Sequence, residues 1–459
     1  PSMNHLPFEL LGLIFGCLDA RIAMLTVPRV CRAWRTALRE FVQLPKIRLA
    51  PLYNTIASKL VSHLVVMRDE VSDLLVSKVL ARVHRVHHVH FTNSFENFPH
   101  AVGPLVAKQI NRLAPGIASL AFRNMRVPGL RHTDARRFSR LVTLAATEVQ
   151  FIDGEWLSCL VRSSRRLMDL HFLNCSGPSS MYTGALPAVP HVSLERVSVS
   201  GCGVGDPRSF QDMERMADCK EVNLECFPFL DWPEGTVNVV YLRSITVLRL
   251  GQNRLTGGLR HLSAAPTIEV LGLSGCTIDD ADAGFAALKL PKLAVINVSR
   301  VDTFSPRCMQ HIAANSPRLR CFIGVDANVT DALVQAFMPL SRTLKKVVVC
   351  SNFDLTGIGI RILGRLPQLQ TIHMEDIPLR DDVDLLQPLC GLLHLRSLRI
   401  GKFCLCSDHH SAAACTEMLD ERRLLSAFRL WRPDVVVESH DEPCSECSED
   451  LSGAERATL

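Results

Sequence analysis

The side chains with the clearest metal-ligand chemistry in this sequence lie near its end. Cys404, Cys406, His409, His410 and Cys415 are followed by His440, Cys444 and Cys447. Thiolates and imidazoles are zinc ligands, and Cys-x-x-Cys spacing lets two sulfurs share one tetrahedral ion. Cys444 and Cys447 have that spacing, and Cys404, Cys406, His409 and His410 could complete such a set. The arrangement follows no recognised finger pattern, however, and Pro443 and the surrounding acids describe a loop. No metal and no cofactor are assigned. The histidines His84, His87, His88 and His90 overlap a strand pattern and read as a half-exposed strand. There is no glycine-rich phosphate loop, no HExxH and no nucleophile elbow, so the chain is read as non-catalytic.

The remaining chemistry is anion binding. Arg123, Arg126, Arg131, His132, Arg136, Arg137 and Arg140, then Arg162, Arg165 and Arg166, could grip phosphates or carboxylates through forked hydrogen bonds. The preferred reading is plainer: a solvated face balanced by an acidic tail. With only 3 Tyr and 4 Trp in the chain, the stacking platforms of a single-strand nucleic-acid site are missing. A nucleic-acid partner is not favoured.

The elements that must position these groups come from a repeat. Apolar residues recur at offsets 0, +3 and +5, as in Leu167/Leu170/Phe172, Leu194/Val197/Val199, Cys219/Val222/Leu224, Ile245/Leu248/Leu250 and Ile268/Leu271/Leu273. The series continues through Leu293/Ile296/Val298, Leu319/Phe322, Leu344/Val347/Val349, Leu369/Ile372/Met374 and Leu395/Leu398/Ile400. The mean interval of about 25 residues falls in the range of leucine-rich repeats, which the pattern resembles. Weaker copies stand at Leu44/Ile47/Leu49, Val86/Val89/Phe91, Ile117/Leu120/Phe122 and Ala146/Val149/Phe151. Together they make about 14 repeats. In that resemblance, offset +8 carries a side chain that bonds backbone groups where strand turns to loop. Cys175, Cys202, Asn253, Cys276 and Asn352 stand there, which makes those cysteines structural.

Between strands, Asp279–Leu290, Thr330–Leu340, Gly357–Leu366 and Asp381–Leu393 have helical periodicity, with Asp280, Thr330 and Asp381 at N-cap positions. Residues 53–80 read as a long helix or helix pair. The fold class is α/β: a curved solenoid over 44–437, parallel sheet inside and helices outside. A helix at Glu421–Leu430 and a strand at Val435–Val437 close it. Residues 438–459 form an acidic tail expected to be disordered, since Glu438–Glu455 has 7 acidic residues and no Lys or Arg.

Alternation along each strand sends offsets +4 and +6 to the concave face. The centre of that face reads as small and weakly polar, and its basic members are His171, Arg249, His373 and Arg399, with Arg396 nearby. These, with Arg136 and Arg137 from the arginine cluster, are the candidate substrate-binding residues.

Ahead of the repeats, Leu6-Pro7 is followed by Leu10, Leu11, Ile14, Phe15 and Leu18, the stripe of an amphipathic helix with proline in its first turn. A second short helix fits Ala20–Leu25, and a third follows Pro28 with Val30, Cys31, Trp34 and Leu38 on its apolar side. This series resembles the F-box, a three-helix module, over residues 5–45. The resemblance implies docking of Leu6, Pro7, Leu10, Leu11, Ile14, Phe15, Val30, Cys31 and Trp34 onto a Skp-family adaptor and, through it, a cullin-RING core. F-box followed by leucine-rich repeats further implies a substrate-recognition subunit of an SCF-type ubiquitin ligase, holding a protein substrate on the solenoid. The alternatives are a non-degradative scaffold in a stable complex, and a nucleic-acid- or anion-binding repeat protein.

Composition excludes little else. A net charge of +5 demands no polyanionic partner. No apolar run is long enough to span a membrane, and scattered cysteines in apolar positions read as reduced thiols. The expected location is cytoplasmic, nuclear or both.

Overall fold

The computed structural model describes the backbone of residues 47–48, 63–67 and 100–101. It also describes 87–92, 110, 112–127, 137–152, 159–161, 163–176, 194–202, 219–225, 244–255, 258–350, 352, 354–375, 385–400, 426 and 428–439. The predicted F-box at 5–45, the N-cap Asp381, and the Cys/His groups at 404–415 and 440–447 lie outside these residues. The chain divides into two compact units, Pro1–Cys219 and Lys220–Leu459.

In the first unit the strands are β1 (Ile47–Arg48), β2 (His63–Met67), β3 (His88–Thr92), β4 (His100–Ala101), β5 (Ser119–Val127), β6 (Thr143–Phe151), β7 (Asp169–Leu173) and β8 (Arg196–Ser200). All described pairings are parallel. One row runs in register through Ile47, Leu64, Val89, Leu120, Leu144, Leu170 and Val197. β4 pairs with the far end of β5.

The second unit repeats the plan with β9 (Glu221–Glu225), β10 (Val247–Arg249), β12 (Val270–Gly272), β14 (Val295–Asn297), β15 (Cys321–Ile323), β16 (Lys346–Cys350), β17 (Thr371–Glu375), β18 (Ser397–Ile400) and β19 (Val436–Ser439). Its row is Val222, Leu248, Leu271, Ile296, Phe322, Val347, Ile372, Leu398 and Val437. Short strands β11 (Arg254–Leu255) and β13 (Thr277–Ile278) pair separately. The row is the sequence pattern's offset +3. It is buried throughout its described side chains, each fully buried Leu, Ile or Val contributing roughly 1.5–3 kcal/mol over exposure.

The backbone explains why the pattern repeats. Offset +7 is left-handed in repeat after repeat: Asn124, Glu148, Asn174, Gly201, Gln252, Gly275, Arg300 and Asp326 all have φ between 49 and 66°. That step breaks the strand's alternation and turns offset +8 inward, and β5 and β6 resume pairing beyond it at Met125 and Val149. Glycine, asparagine and aspartate tolerate it, which accounts for most of these identities.

Four readings change. Residues 63–67 form a strand, not part of a helix, and Val61/Leu64/Val66 is the repeat copy that the helical periodicity conceals. The triplet at Ala146/Val149/Phe151 belongs five residues earlier, at Leu141/Leu144/Ala146, because Leu144 is the residue opposite Leu120 and Leu170. The closing strand extends to Ser439, so Glu438 and Ser439 are ordered rather than part of the tail. A helix over Pro306–Asn315 appears where none is expected.

Helices α1 (Ala281–Ala287), α2 (Pro306–Asn315), α3 (Asp331–Gln335) and α4 (Gly357–Leu363) cover one side of the second sheet. Asp280, Ser305, Thr330 and Thr356 cap them, each side-chain oxygen accepting from a first-turn N–H. The caps are also tied sideways. Asp331 accepts from the Thr356 N–H at 2.9 Å, the Thr356 hydroxyl at 2.6 Å and the Gly359 N–H at 2.9 Å. Asp282 plays the same part for Ser305 and Cys308, and hydrogen bonds from Ser305, then Cys308, hold its carboxyl below the usual range. Beneath the helices, Phe285, Phe304, Phe322 and Phe337 form a row of edge-on and tilted contacts with successive centroids 5.3, 6.1 and 4.9 Å apart. Among the described residues, no helix is long and apolar enough to cross a membrane.

Candidate functional site

Offset +8 does the bonding expected of it. The Asn253 amide donates to the carbonyls of Leu250 (2.7 Å) and Leu224 (2.6 Å), the latter in the previous repeat. Asn352 donates to Cys350 (2.8 Å) and Gly324 (2.7 Å) while its Oδ1 accepts from the Ala327 and Val329 N–H groups. Cys276 donates to Leu250 O at 2.9 Å, and Cys175 and Cys202 reach carbonyls one repeat back in the same manner. Burial pushes the Cys276 thiol up to about 12. The Cys175 thiol is also raised, first by its hydrogen bond with Cys202 and then by burial. Such thiols are poor nucleophiles.

The sheet face opposite the helices is where offsets +2, +4 and +6 meet. In the second unit part of this face is buried and apolar, while Asn297 and Ser299 hold buried polar positions beside it. Val270, Val295, Cys321, Ile323, Val325, Val348 and Cys350 form one buried cluster. A parallel sheet buried on both faces carries such near-continuous apolar strands.

Polar groups flank that cluster. Arg249 is buried, and its guanidinium donates to Glu221 Oε1 at 2.8 Å. Gly272, opposite Arg249, leaves room for its stem: a Cβ there would lie 3.2 Å from Arg249 Cγ. Asn223, opposite Arg249 on the other side, has a buried Oδ1 with no hydrogen-bond partner among the described residues. On the far flank His373 is buried, its Nε2 2.7 Å from Glu375 Oε1, with Arg399 in register beside it.

The candidate substrate-binding residues therefore separate. Arg249 and His373 are buried against carboxylates on the sheet face. Arg399 is half-buried, as is His171 in the first unit, and Arg396 is exposed. Arg137 is exposed in the turn before β6, and Arg136 lies outside the described residues. Of the wider cluster, Arg123 and Arg126 are exposed on β5, while Arg140, Arg165 and Arg166 are exposed on connections ahead of β6 and β7. The carboxylates Glu221 and Glu375, absent from the sequence-derived set, complete the buried pairs. Glu375 has a signal in the sequence, two residues after His373 on the same face, whereas Glu221 is brought to Arg249 from the previous repeat by the register of β9 on β10.

The amino-acid sequence matches the F-box-like family over residues 3–44. No curated protein sequence matches the chain. Among solved structures, an internalin from Listeria monocytogenes matches with a TM-score of 0.50 and 14% identity, over 86% of this chain and 98% of that one. A leucine-rich-repeat protein from Leptospira interrogans matches with a TM-score of 0.49 and 11% identity, over 92% and 95%. At such identity the likeness is one of fold. This is an α/β leucine-rich-repeat solenoid preceded by an F-box-like region, and no catalytic family is indicated. An F-box-like domain implies binding to a Skp-type adaptor in general.

Proposed function

We propose that the chain is the substrate-recognition subunit of an SCF-type ubiquitin ligase. The observation that carries this reading is the F-box-like match at residues 3–44 joined to a leucine-rich-repeat fold. Leu6, Pro7, Leu10, Leu11, Ile14, Phe15, Val30, Cys31 and Trp34 are the adaptor-binding residues. The substrate lies against the solenoid, engaged by accessible groups such as Arg396, Arg399, His171 and Arg137. Arg249 and His373 serve as framework, since each is buried and already bonded to a carboxylate, Glu221 and Glu375 respectively. The chain's contribution to ubiquitin transfer is positional, raising the local concentration of a substrate lysine near a thioester formed on another protein. Such work belongs to the cytoplasm or nucleus.

The test is affinity capture of the full chain from cells of its source, with and without proteasome inhibition. The proposal expects a cullin-RING core in the eluate and clients that accumulate under inhibition. An adaptor-bound chain with no cullin and no accumulating client would instead identify a non-degradative scaffold.

A further inference from the structure

We propose that Cys350, His373 and Glu375 form a zinc site on the sheet face of the second unit. Strands β16 and β17 run in parallel with Cys350 directly opposite Glu375, and His373 stands two residues before Glu375 on the same side. A strand separation of about 4.8 Å and an i, i+2 step of about 6.6 Å are the spacings that gather three such side chains. Sγ, an imidazole nitrogen and a carboxylate oxygen all lie within 4.8 Å of one another. All three residues are buried, at 1, 1 and 7% exposure.

The donor set selects the metal. Thiolate, imidazole and carboxylate bind zinc at about 2.3, 2.0–2.1 and 2.0–2.2 Å, so a tetrahedral ion brings them within roughly 3.3–3.7 Å of each other. Closing from the observed separations is a matter of side-chain rotation. Calcium and magnesium prefer oxygen alone, and a thiolate in the set disfavours both. Two anionic ligands balance the charge of Zn²⁺. On binding, Cys350 loses its thiol proton to solvent, and the hydrogen bond between His373 and Glu375 gives way to two metal bonds. Among the described residues no fourth His, Cys, Asp or Glu joins the group, so the fourth position falls to water or an incoming donor. The bland account of the same residues is a metal-free His373–Glu375 pair beside an inert thiol.

The experiment is a Co²⁺ titration of the full chain after chelator treatment, with zinc content measured on untreated protein. The site predicts one retained zinc, thiolate-to-cobalt charge transfer in the near ultraviolet and intense tetrahedral d–d bands. Cys350→Ser should abolish the charge transfer. His373→Gln and Glu375→Gln should each weaken affinity by more than the roughly 10–100-fold that loss of an outer-sphere partner causes. Cys444→Ser/Cys447→Ser should change neither. Absence of both zinc and cobalt bands overturns the proposal, as does charge transfer unaltered in Cys350→Ser or lost only with Cys444 and Cys447. If Cys350→Ser does not fold, the isosteric Glu375→Gln decides alone: unchanged cobalt affinity overturns the site.

Discussion

Replacing Asn352 with alanine removes four hydrogen bonds in one step. Two are donated to Gly324 O and Cys350 O at 2.7 and 2.8 Å, and two are accepted from Ala327 and Val329 at 3.1 and 2.9 Å. The residue is 1% exposed, so no solvent stands ready to replace them. At about 1 kcal/mol net for each neutral bond, the loss comes to about 4 kcal/mol, a large share of the roughly 5–15 kcal/mol that holds a domain folded. Asn352→Cys gives a graded comparison. A thiol can donate once, as Cys276 does to Leu250 O, but leaves the two N–H groups unserved, so about 2–3 kcal/mol is expected. Solenoids open segment by segment, and the informative assay is hydrogen exchange in peptides spanning 321–352. A 4 kcal/mol loss accelerates exchange there by close to a thousandfold, since each 1.4 kcal/mol is about tenfold. A loss under about 1 kcal/mol in Asn352→Ala, or wild-type protection in Asn352→Cys, would refute the claim that the +8 ladder holds repeats together.

Three further outcomes follow from the same geometry. Arg300 occupies the left-handed step at φ 54°, so Arg300→Gly should stabilise by about 0.5–1 kcal/mol once glycine's greater chain entropy is deducted, seen as a higher thermal midpoint. Arg432 donates to the carbonyls of Cys390, Leu392 and Leu395 at 3.1, 2.7 and 3.3 Å, and Arg432→Ala should speed exchange in Val436–Ser439 while leaving β14 and β15 protected. The bidentate hydrogen bond from Arg196 holds the Asp169 carboxyl below its ordinary 3.8. A depressed folded-state value contributes stability above the unfolded value and forfeits it as pH falls through the folded one. The advantage of wild type over Arg196→Gln, at most about 1 kcal/mol because Arg196 is half exposed, should thus be present at pH 7 and vanish by pH 2. A urea-midpoint difference that does not change with pH would contradict it.

The solenoid is legible in the sequence because its row at offset +3 must be apolar in every copy, whatever surrounds it. Where two periods fit the same residues, legibility fails. Leu60, Leu64, Met67 and Val71 satisfy a helix, while Val61, Leu64 and Val66 satisfy a strand, and a short apolar run does not choose between them. At β6 the misplaced triplet arises because Val149 and Phe151 are themselves buried past the left-handed step. Glutamate at that step, Glu148, lacks the Gly or Asn signature that marks Gly201 and Asn174. The helix at Pro306–Asn315 announces itself only through Ser305-Pro306, a cap followed by proline. The buried apolar part of the sheet face is visible in Ile323, Val325 and Val348, apolar at offsets +4 and +6. The Cys350–His373–Glu375 group is hidden because its members belong to two repeats, and only the register of β16 on β17 brings them together.

The central claim is that residues 3–44 dock a Skp-family adaptor. Direct titration of purified adaptor into the full chain, and into Leu10→Ala/Ile14→Ala/Trp34→Ala, tests it with least intervening inference. The account predicts a one-to-one complex with wild type and at least a hundredfold weaker binding by the triple variant, with its near-ultraviolet circular dichroism otherwise preserved. Equal binding by the two proteins, or none by either, would contradict it.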